Sequence, residues 1–348
     1  MDGRLLLGIG RMSNMLFTVQ VKEGLHFVKT LVKGLLFFYL PIVIALTILH
    51  FPYDTDPPPR PHARPSGENS AHEPTRAAER STNFYEAAYD QAKRLRRGMN
   101  YEATAKRAAD TFNIEKLVRE FVSQYNLEQK KVLEVGSGRG YLQDLVQDYT
   151  GLDLSPSAAK FYHKPFVIGS ATRMPFADNS FDAIWTIWVL EHIREPERAL
   201  LEMRRVLRPQ GLIFLYVAWN CKPWAADGFE VRPYSDFNWR GRLVKASIPI
   251  RASPLFQITY GVPTRLIRWL QYSVGVSTSL HYRRLDPNYE VYWQPDSDAA
   301  VSLESFEVYL WFLNKGDECL NCTTAFRELL TTRNPLIIRV RKKETSPQ

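Results

Sequence analysis

Residues 131–140 read Lys131-Val132-Leu133-Glu134-Val135-Gly136-Ser137-Gly138-Arg139-Gly140, a short apolar strand running into a glycine turn. Glycine has no Cβ and tolerates a left-handed backbone, so three of them in five residues let the chain turn tightly beneath a ligand. After the turn, Tyr141-Leu142-Gln143-Asp144-Leu145-Val146 opens a helix, and Thr150-Gly151-Leu152-Asp153-Leu154 reads as a second strand. Ser155 as N-cap and Pro156 at the first helical position announce the next helix, because the missing proline N–H costs nothing there. Phe166–Ile168, Phe181–Ile187 and Leu212–Val217 supply strands three to five, and Pro196–Leu207 forms an amphipathic helix ended by Pro209 and Gly211. Strands alternating with helices in this way specify an α/β, doubly wound and mostly parallel sheet.

Ligands of such sheets bind at the carboxyl ends of the strands, near the switch in strand order. That rule gathers Gly136, Ser137, Gly138, Gly140, Asp153, Leu154, Ser170, Ala171 and Thr186, with the run to His192, into one cleft. Glu134 ends the first strand and offers a carboxylate to a cationic group, such as the amino end of an adenosyl amino acid. Asp153, nineteen positions later, is placed to accept hydrogen bonds from two ribose hydroxyls. A nicotinamide-binding turn would need Gly-x-Gly-x-x-Gly, and here the third glycine comes one residue early.

The stretches VLEVGSGRG (132–140), GLDLS (151–155), GSATRMPFADNSFDAIW (169–185), VLEHI (189–193) and VLRPQGLI (206–213) together resemble the type 11 methyltransferase domain. That group includes the ubiquinone and menaquinone biosynthesis methyltransferases. The resemblance covers residues 131–217, about a quarter of the chain. It implies a Rossmann-like class I fold of seven strands and a methyl transfer from S-adenosyl-L-methionine. It also implies that Glu134, Gly136, Gly138 and Asp153 contact that cofactor, with Ala171 near the adenine. The chain departs from the family pattern at Ser170, where an aspartate is frequent, and at Gln210, where a glycine is usual.

Methyl transfer from a sulfonium is an in-line displacement, so alignment of the reactants supplies much of the acceleration. A base is needed where the acceptor must lose a proton. Glu191 and His192 follow the fourth strand and are the candidates, His192 because imidazole titrates near neutral pH. The alternative for the pair is a structural role at a loop. Trp188 stands either in the wall of the methyl-donor pocket or in the core.

Between about 219 and 300 lies an insert after strand five, rich in aromatic residues with interleaved arginines. Such surfaces suit sugars, phosphorylated lipids or bases. Within it, Val262–Tyr272 has the pattern of an amphipathic helix, which would lie on a membrane or pack on the core. The fold then resumes with a helix over Ser302–Lys315 and strands near Cys319–Thr323 and Pro335–Val340.

Ahead of the catalytic domain (82–348), residues 1–33 form an N-terminal segment. Residues 34–53 (GLLFFYLPIVIALTILHFPY) contain no Lys, Arg, Asp or Glu and match a membrane-spanning helix. Residues 54–81 are rich in Pro, Ser and charge, the composition of a disordered linker. Lys22, Lys29 and Lys33 favour an N-terminus in the cytosol. The cytosolic supply of the cofactor favours the opposite topology, with the catalytic domain on the cytosolic side of a single-pass protein. The net charge of +8 is spread along the chain and reads as a mildly basic, solvated surface. Three cysteines, with no second Cys or His pair, build neither a disulfide scaffold nor a zinc site, so no metal is expected. The expectation is a membrane-tethered methyltransferase with a small-molecule acceptor, lipid-linked or amphipathic. A nucleic-acid methyltransferase and a catalytically silent cofactor-binding scaffold are the rivals, nucleic acid being the weaker partner; oligomeric state is not legible.

Overall fold

In a computed structural model, the described residues are 29–30, 33–34, 37–41, 68–89, 101–226, 228–275, 279–289 and 296–342. One sheet organises them. Its strands are β1 (Lys131–Val135), β2 (Asp148–Asp153), β3 (Phe166–Ile168), β4 (Phe181–Ile187), β5 (Leu207–Tyr216), β6 (Glu318–Cys319) and β7 (Leu336–Arg339). They lie in the order β3-β2-β1-β4-β5-β7-β6, with β7 antiparallel to both its neighbours. β1 therefore sits at the point where strand order reverses, with β2 on one side and β4 on the other.

The two-residue period of a strand sorts the core into two layers. Val132, Tyr149, Ala183, Trp185 and Phe214 point to one face, where α3 (Ile114–Gln124) buries Ile114, Val118, Phe121 and Val122 against them. Leu133, Val135, Ile184, Ile213 and Leu215 point to the other. There α4 (Pro196–Val206) supplies Ala199, Leu200, Met203 and Val206, and α7 (Ser305–Asn314) supplies Val308, Trp311 and Phe312. Full burial of such a side chain contributes roughly 1.5–3 kcal/mol.

The crossovers flanking β2 differ from expectation. Twelve residues separate Val135 from Asp148, and the glycine turn uses five of them. What remains winds only as a 3-10 turn, Gln143–Leu145. Gln143 is buried within it, donating to the Phe161 carbonyl and accepting from the His163 N–H, both at 3.2 Å. The segment after β2 is likewise a 3-10 helix, Pro156–Phe161. Ser155 precedes it without capping it, its Oγ lying 2.8 Å from Ser157 Oγ instead.

N-terminal to the sheet are α1 (Glu68–Tyr89) and α2 (Tyr101–Thr111). The linker expected over 54–81 thus ends in helix from Glu68 onward, in a stretch containing Arg76-Ala77-Ala78-Glu79-Arg80, all good helix formers. Phe84, buried on α1, pins the last turns against Tyr289, ring centroids 5.0 Å apart. Residues 54–67 lie outside the described residues. Of the span expected over 34–53, Gly34 and Phe37–Pro41 are described and helical, and the rest falls outside. No described helix is long and apolar enough to cross a membrane.

The insert holds α5 (Trp239–Arg251) and α6 (Pro254–Ser273). Its two ends meet, the Asn220 N–H donating to the Leu303 carbonyl at 2.7 Å. The amphipathic stretch Val262–Tyr272 falls inside α6 and packs on α7 through its arginines. Arg265 pairs with Glu304 at 2.6 Å and Arg268 with Glu307 at 2.8 Å. Cys319 and Cys322 are joined by a disulfide, and Cys221 is a buried thiol.

Candidate cofactor and acceptor site

A cleft of about 1430 Å³ opens at the carboxyl ends of β1, β2 and β4. Its floor is the glycine turn, in which Gly136, Gly138 and Gly140 all adopt positive φ. At Gly136 (φ +71°) a Cβ would lie 2.2 Å from Val189 Cγ2, so both conformation and space demand glycine. The turn is held from three sides. Asp153 Oδ2 accepts the Gly138 N–H at 2.8 Å, while Oδ1 accepts the Ser155 N–H at 2.9 Å. Tyr162 donates its hydroxyl to the carbonyls of Ser137 and Gly138, each at 3.0 Å. The Gly136 and Ser137 N–H groups donate to the Leu152 carbonyl.

Glu134 lines the cleft yet is only 6% exposed. Its Oε2 accepts the Tyr149 hydroxyl at 2.5 Å. Burial pushes its carboxyl up to about 7, against the lowering effect of the Tyr149 hydrogen bond. A buried carboxyl in that state is ready for a cationic partner, whose charge would restore its ionisation. Burial also raises Asp153, opposed by the N–H groups of Ser155 and Gly138. Each Asp153 oxygen keeps a second lone pair for a ligand hydroxyl. A cradle that a Cβ would fill, beside two buried carboxylates, fits an adenosyl sulfonium amino acid.

Ser137, Leu154, Ser170 and Ala171 also line the cleft. Ser170 Oγ lies 2.9 Å from Thr172 Oγ1. Gly140 shapes the turn without reaching the cleft. Thr186, expected as a cofactor contact, does not reach it either. It is fully buried next to Val135 in the sheet, and its hydroxyl has no hydrogen-bond partner. The last cleft-lining positions of β4 and its exit are Ile187, Trp188 and Val189. Trp188, in the cleft wall, takes a left-handed φ of +52°, and its ring lies edge-on to Tyr216 and Phe112 behind it.

Glu191 and His192 meet different surroundings, although His192 Nε2 lies 4.0 Å from Glu191 Oε1. Glu191 is 1% exposed and lies behind the wall, its Oε1 accepting the Ala218 N–H at 3.3 Å. Burial pushes its carboxyl up to about 7. It stands beside the root of the insert rather than in the cleft, and its Oε2 has no hydrogen-bond partner. His192 does line the cleft. Its Nδ1 lies 3.1 Å from the Asp298 carbonyl and 3.7 Å from the Asp298 carboxylate. Burial would lower the imidazole, but the Asp298 and Glu191 carboxylates outweigh it and the net shift is upward. Asp298 also accepts the Tyr85 hydroxyl at 3.1 Å. The cleft beyond His192 is walled by Tyr85, Tyr101 and Tyr289, while the Tyr89 hydroxyl stands over the glycine turn, 3.0 Å from where a Cβ on Gly138 would lie.

Asp298, Tyr101, Tyr149 and Tyr162 escape sequence reading. Their partners lie 15 to 213 positions away, as with Tyr149 on Glu134 and Tyr85 on Asp298. No local spacing encodes such pairs.

Residues 133–215 match the family model described as a methyltransferase domain. The demethylmenaquinone methyltransferase of Renibacterium salmoninarum is 38% identical over 91 residues, 24% of this chain and 38% of that protein. The phthiotriol/phenolphthiotriol dimycocerosates methyltransferase of Mycobacterium leprae is 38% identical over 102 residues, 26% of this chain and 38% of that protein. The chain thus spans well under half the length of these relatives. Among solved structures, an amino pentose methyltransferase from Micromonospora echinaspora is 19% identical, covering 35% of this chain and 57% of that one with a TM-score of 0.31. Residues 133–215 are thus a methyltransferase domain, and its cofactor is S-adenosylmethionine.

Proposed function

We propose that the whole chain is a membrane-tethered methyltransferase acting on a small amphipathic or lipid-linked acceptor. One observation carries this reading: the glycine cradle and the tyrosine-walled recess with His192 belong to a single cleft. At about 1430 Å³ it exceeds the usual ~300–1,000 Å³ of a one-ligand pocket and has room for cofactor and acceptor together. Relatives named for demethylmenaquinone and for phthiotriol/phenolphthiotriol dimycocerosates favour an acceptor of lipid character. The uncharged run at 34–53 favours a bilayer anchor, and its described residues Phe37 and Phe38 are 75% and 71% exposed. Supply of the cofactor from the cytosol favours a domain on that side.

S-adenosylmethionine, when bound, supplies a methyl group on a sulfonium and leaves as the neutral thioether S-adenosylhomocysteine. Glu134 would hold the amino end and Asp153 the ribose. His192 donates from Nδ1 to the Asp298 carbonyl, which leaves Nε2 as the basic nitrogen. That nitrogen takes the proton an acceptor hydroxyl or amine loses as its bond to the methyl carbon forms. The aromatic walls exclude water and align the acceptor for an in-line attack.

The test incubates the full chain with methyl-labelled S-adenosylmethionine and a membrane lipid extract, and then partitions the products. Label in the organic phase supports the proposal. Label confined to added RNA or DNA would favour a nucleic-acid enzyme. Cofactor binding by calorimetry without any transfer would leave a silent scaffold, and absence of binding would overturn the site assignment.

A further inference from the structure

Helix α6 buries Phe256 and packs Val262, Trp269 and Tyr272 inward, and it turns two arginines inward with them. Arg265 and Arg268 are only 8% and 7% exposed, held on the protein side by Glu304 and Glu307. Arg265 also donates to the carbonyls of Leu329 and Thr331, at 3.0 and 2.9 Å. Rotating the helix would strand buried carboxylates, so these bonds fix which face looks outward. That face carries Leu255, Ile258, Leu266, Leu270 and Val274 at roughly helical spacing, with Ile267 beside them, all between 44% and 74% exposed. Helix α5 does the same with Trp239, Leu243 and Ile250, spaced four and seven residues apart and 65%, 51% and 39% exposed. Single exposed leucines are ordinary, but a stripe along two consecutive helices marks an interaction surface.

The charge of this region selects the partner. Between Asp236 and Asp286 there is no acidic residue, while Lys245 and seven arginines fall there. Arg251, Arg265 and Arg268 are buried, the last two paired with Glu304 and Glu307, so the cations that α5 and α6 keep toward solvent are Arg240, Arg242 and the half-buried Lys245. A surface that is apolar, basic and free of acid suits an anionic lipid leaflet. The same chain carries the apolar run at 34–53.

We propose that α5 and α6 lie on the anionic face of a membrane, their apolar stripes entering the interface. Arg240 and Arg242, both exposed in the first turn of α5, meet the headgroups. The inference rests on the membrane-side reading given above and adds a second, peripheral contact to the anchor.

The test uses the full chain with Ile267→Cys carrying an environment-sensitive NBD fluorophore, and a control label at the exposed Gln129→Cys. Both are reconstituted without cofactor into phosphatidylcholine vesicles, with or without phosphatidylserine, containing doxyl-labelled lipid as quencher. The Ile267 label is expected to brighten and to be quenched from the lipid, more so with phosphatidylserine, while the control stays aqueous. Arg240→Gln and Arg242→Gln should each weaken the preference for anionic lipid about fivefold. A water-exposed Ile267 label on a chain that resists alkaline extraction would overturn the docking face and leave the anchor standing. A label already shielded without vesicles would overturn it too, showing the face covered by residues 34–53 or by a second copy. A chain that ignores vesicles altogether would overturn both. Methyl transfer plays no part in the measurement, so its failure is read separately.

Discussion

Asp153 Oδ2 accepts the Gly138 N–H at 2.8 Å, so the residue read as a ribose ligand also fastens the glycine turn. Its other oxygen holds the Ser155 N–H. Asp153→Ala removes two charge-assisted bonds from buried donors and should cost about 2–4 kcal/mol of stability, besides weakening cofactor binding by at least ~10-fold. Thermal unfolding with and without S-adenosylmethionine separates the two effects. Equal loss of stability in both conditions would mean that Asp153 serves the turn alone.

Glu134 gives a prediction in pH. A carboxyl raised by burial contributes stability that is complete below its unfolded value and is lost as pH rises through the folded value, here about 7. The cofactor-free protein should therefore lose stability between roughly pH 4.3 and pH 7 from this group, by about 3–4 kcal/mol. Glu134→Gln should flatten that loss and bind S-adenosylmethionine roughly 10–100-fold more weakly. Denaturant titrations at pH 5 and 8 and calorimetry check both; a mutant that binds normally removes Glu134 from the cofactor site.

His192 predicts the acidic limb of the pH–rate profile. Only the neutral imidazole accepts a proton, so activity falls as pH drops through its raised value. Asp298→Asn removes the leading upward influence and should move that limb to lower pH with the profile otherwise kept. His192→Ala should lower kcat about 10²-fold. An unchanged profile in His192→Ala would mean that the acceptor needs no base.

Gly136→Ala would force a Cβ to within 2.2 Å of Val189 at a positive φ. We expect a loss of roughly 2–3 kcal/mol and no cofactor binding. Pairing it with Val189→Ala should recover part of the stability, which chemical denaturation of the double mutant would reveal; no recovery would place the strain in the backbone.

Thr186→Val is expected to leave cofactor affinity unchanged and stability equal or higher by up to ~1 kcal/mol, because it removes a buried hydroxyl that has no partner. A loss of affinity on calorimetry would return Thr186 to the site.

What was legible in the sequence was whatever repeats locally. The alternation through Val132 to Val135 and through Leu212 to Tyr216 reports two buried faces, and the glycines with Asp153 report a strand end beside a ligand. Illegible features are those set by lengths and by distant partners. Twelve residues between β1 and β2 reduce an expected helix to a 3-10 turn. Thr186 sits at a strand end as sites do, yet the pleat turns it into the sheet. Glu191 and His192 are neighbours in sequence, and only the packing of Asp298, 106 positions on from His192, puts one behind the wall and the other in it.

The insert leaves and rejoins the sheet at one hydrogen bond, from the Asn220 N–H to the Leu303 carbonyl. A loop closed at its own base can lengthen, shorten or be exchanged without disturbing strand register. This one is also clamped above its base, because Arg265 and Arg268 pair with Glu304 and Glu307 and Asp298 holds His192, so a transplant of 221–302 keeps its shape only if those three partners travel with it.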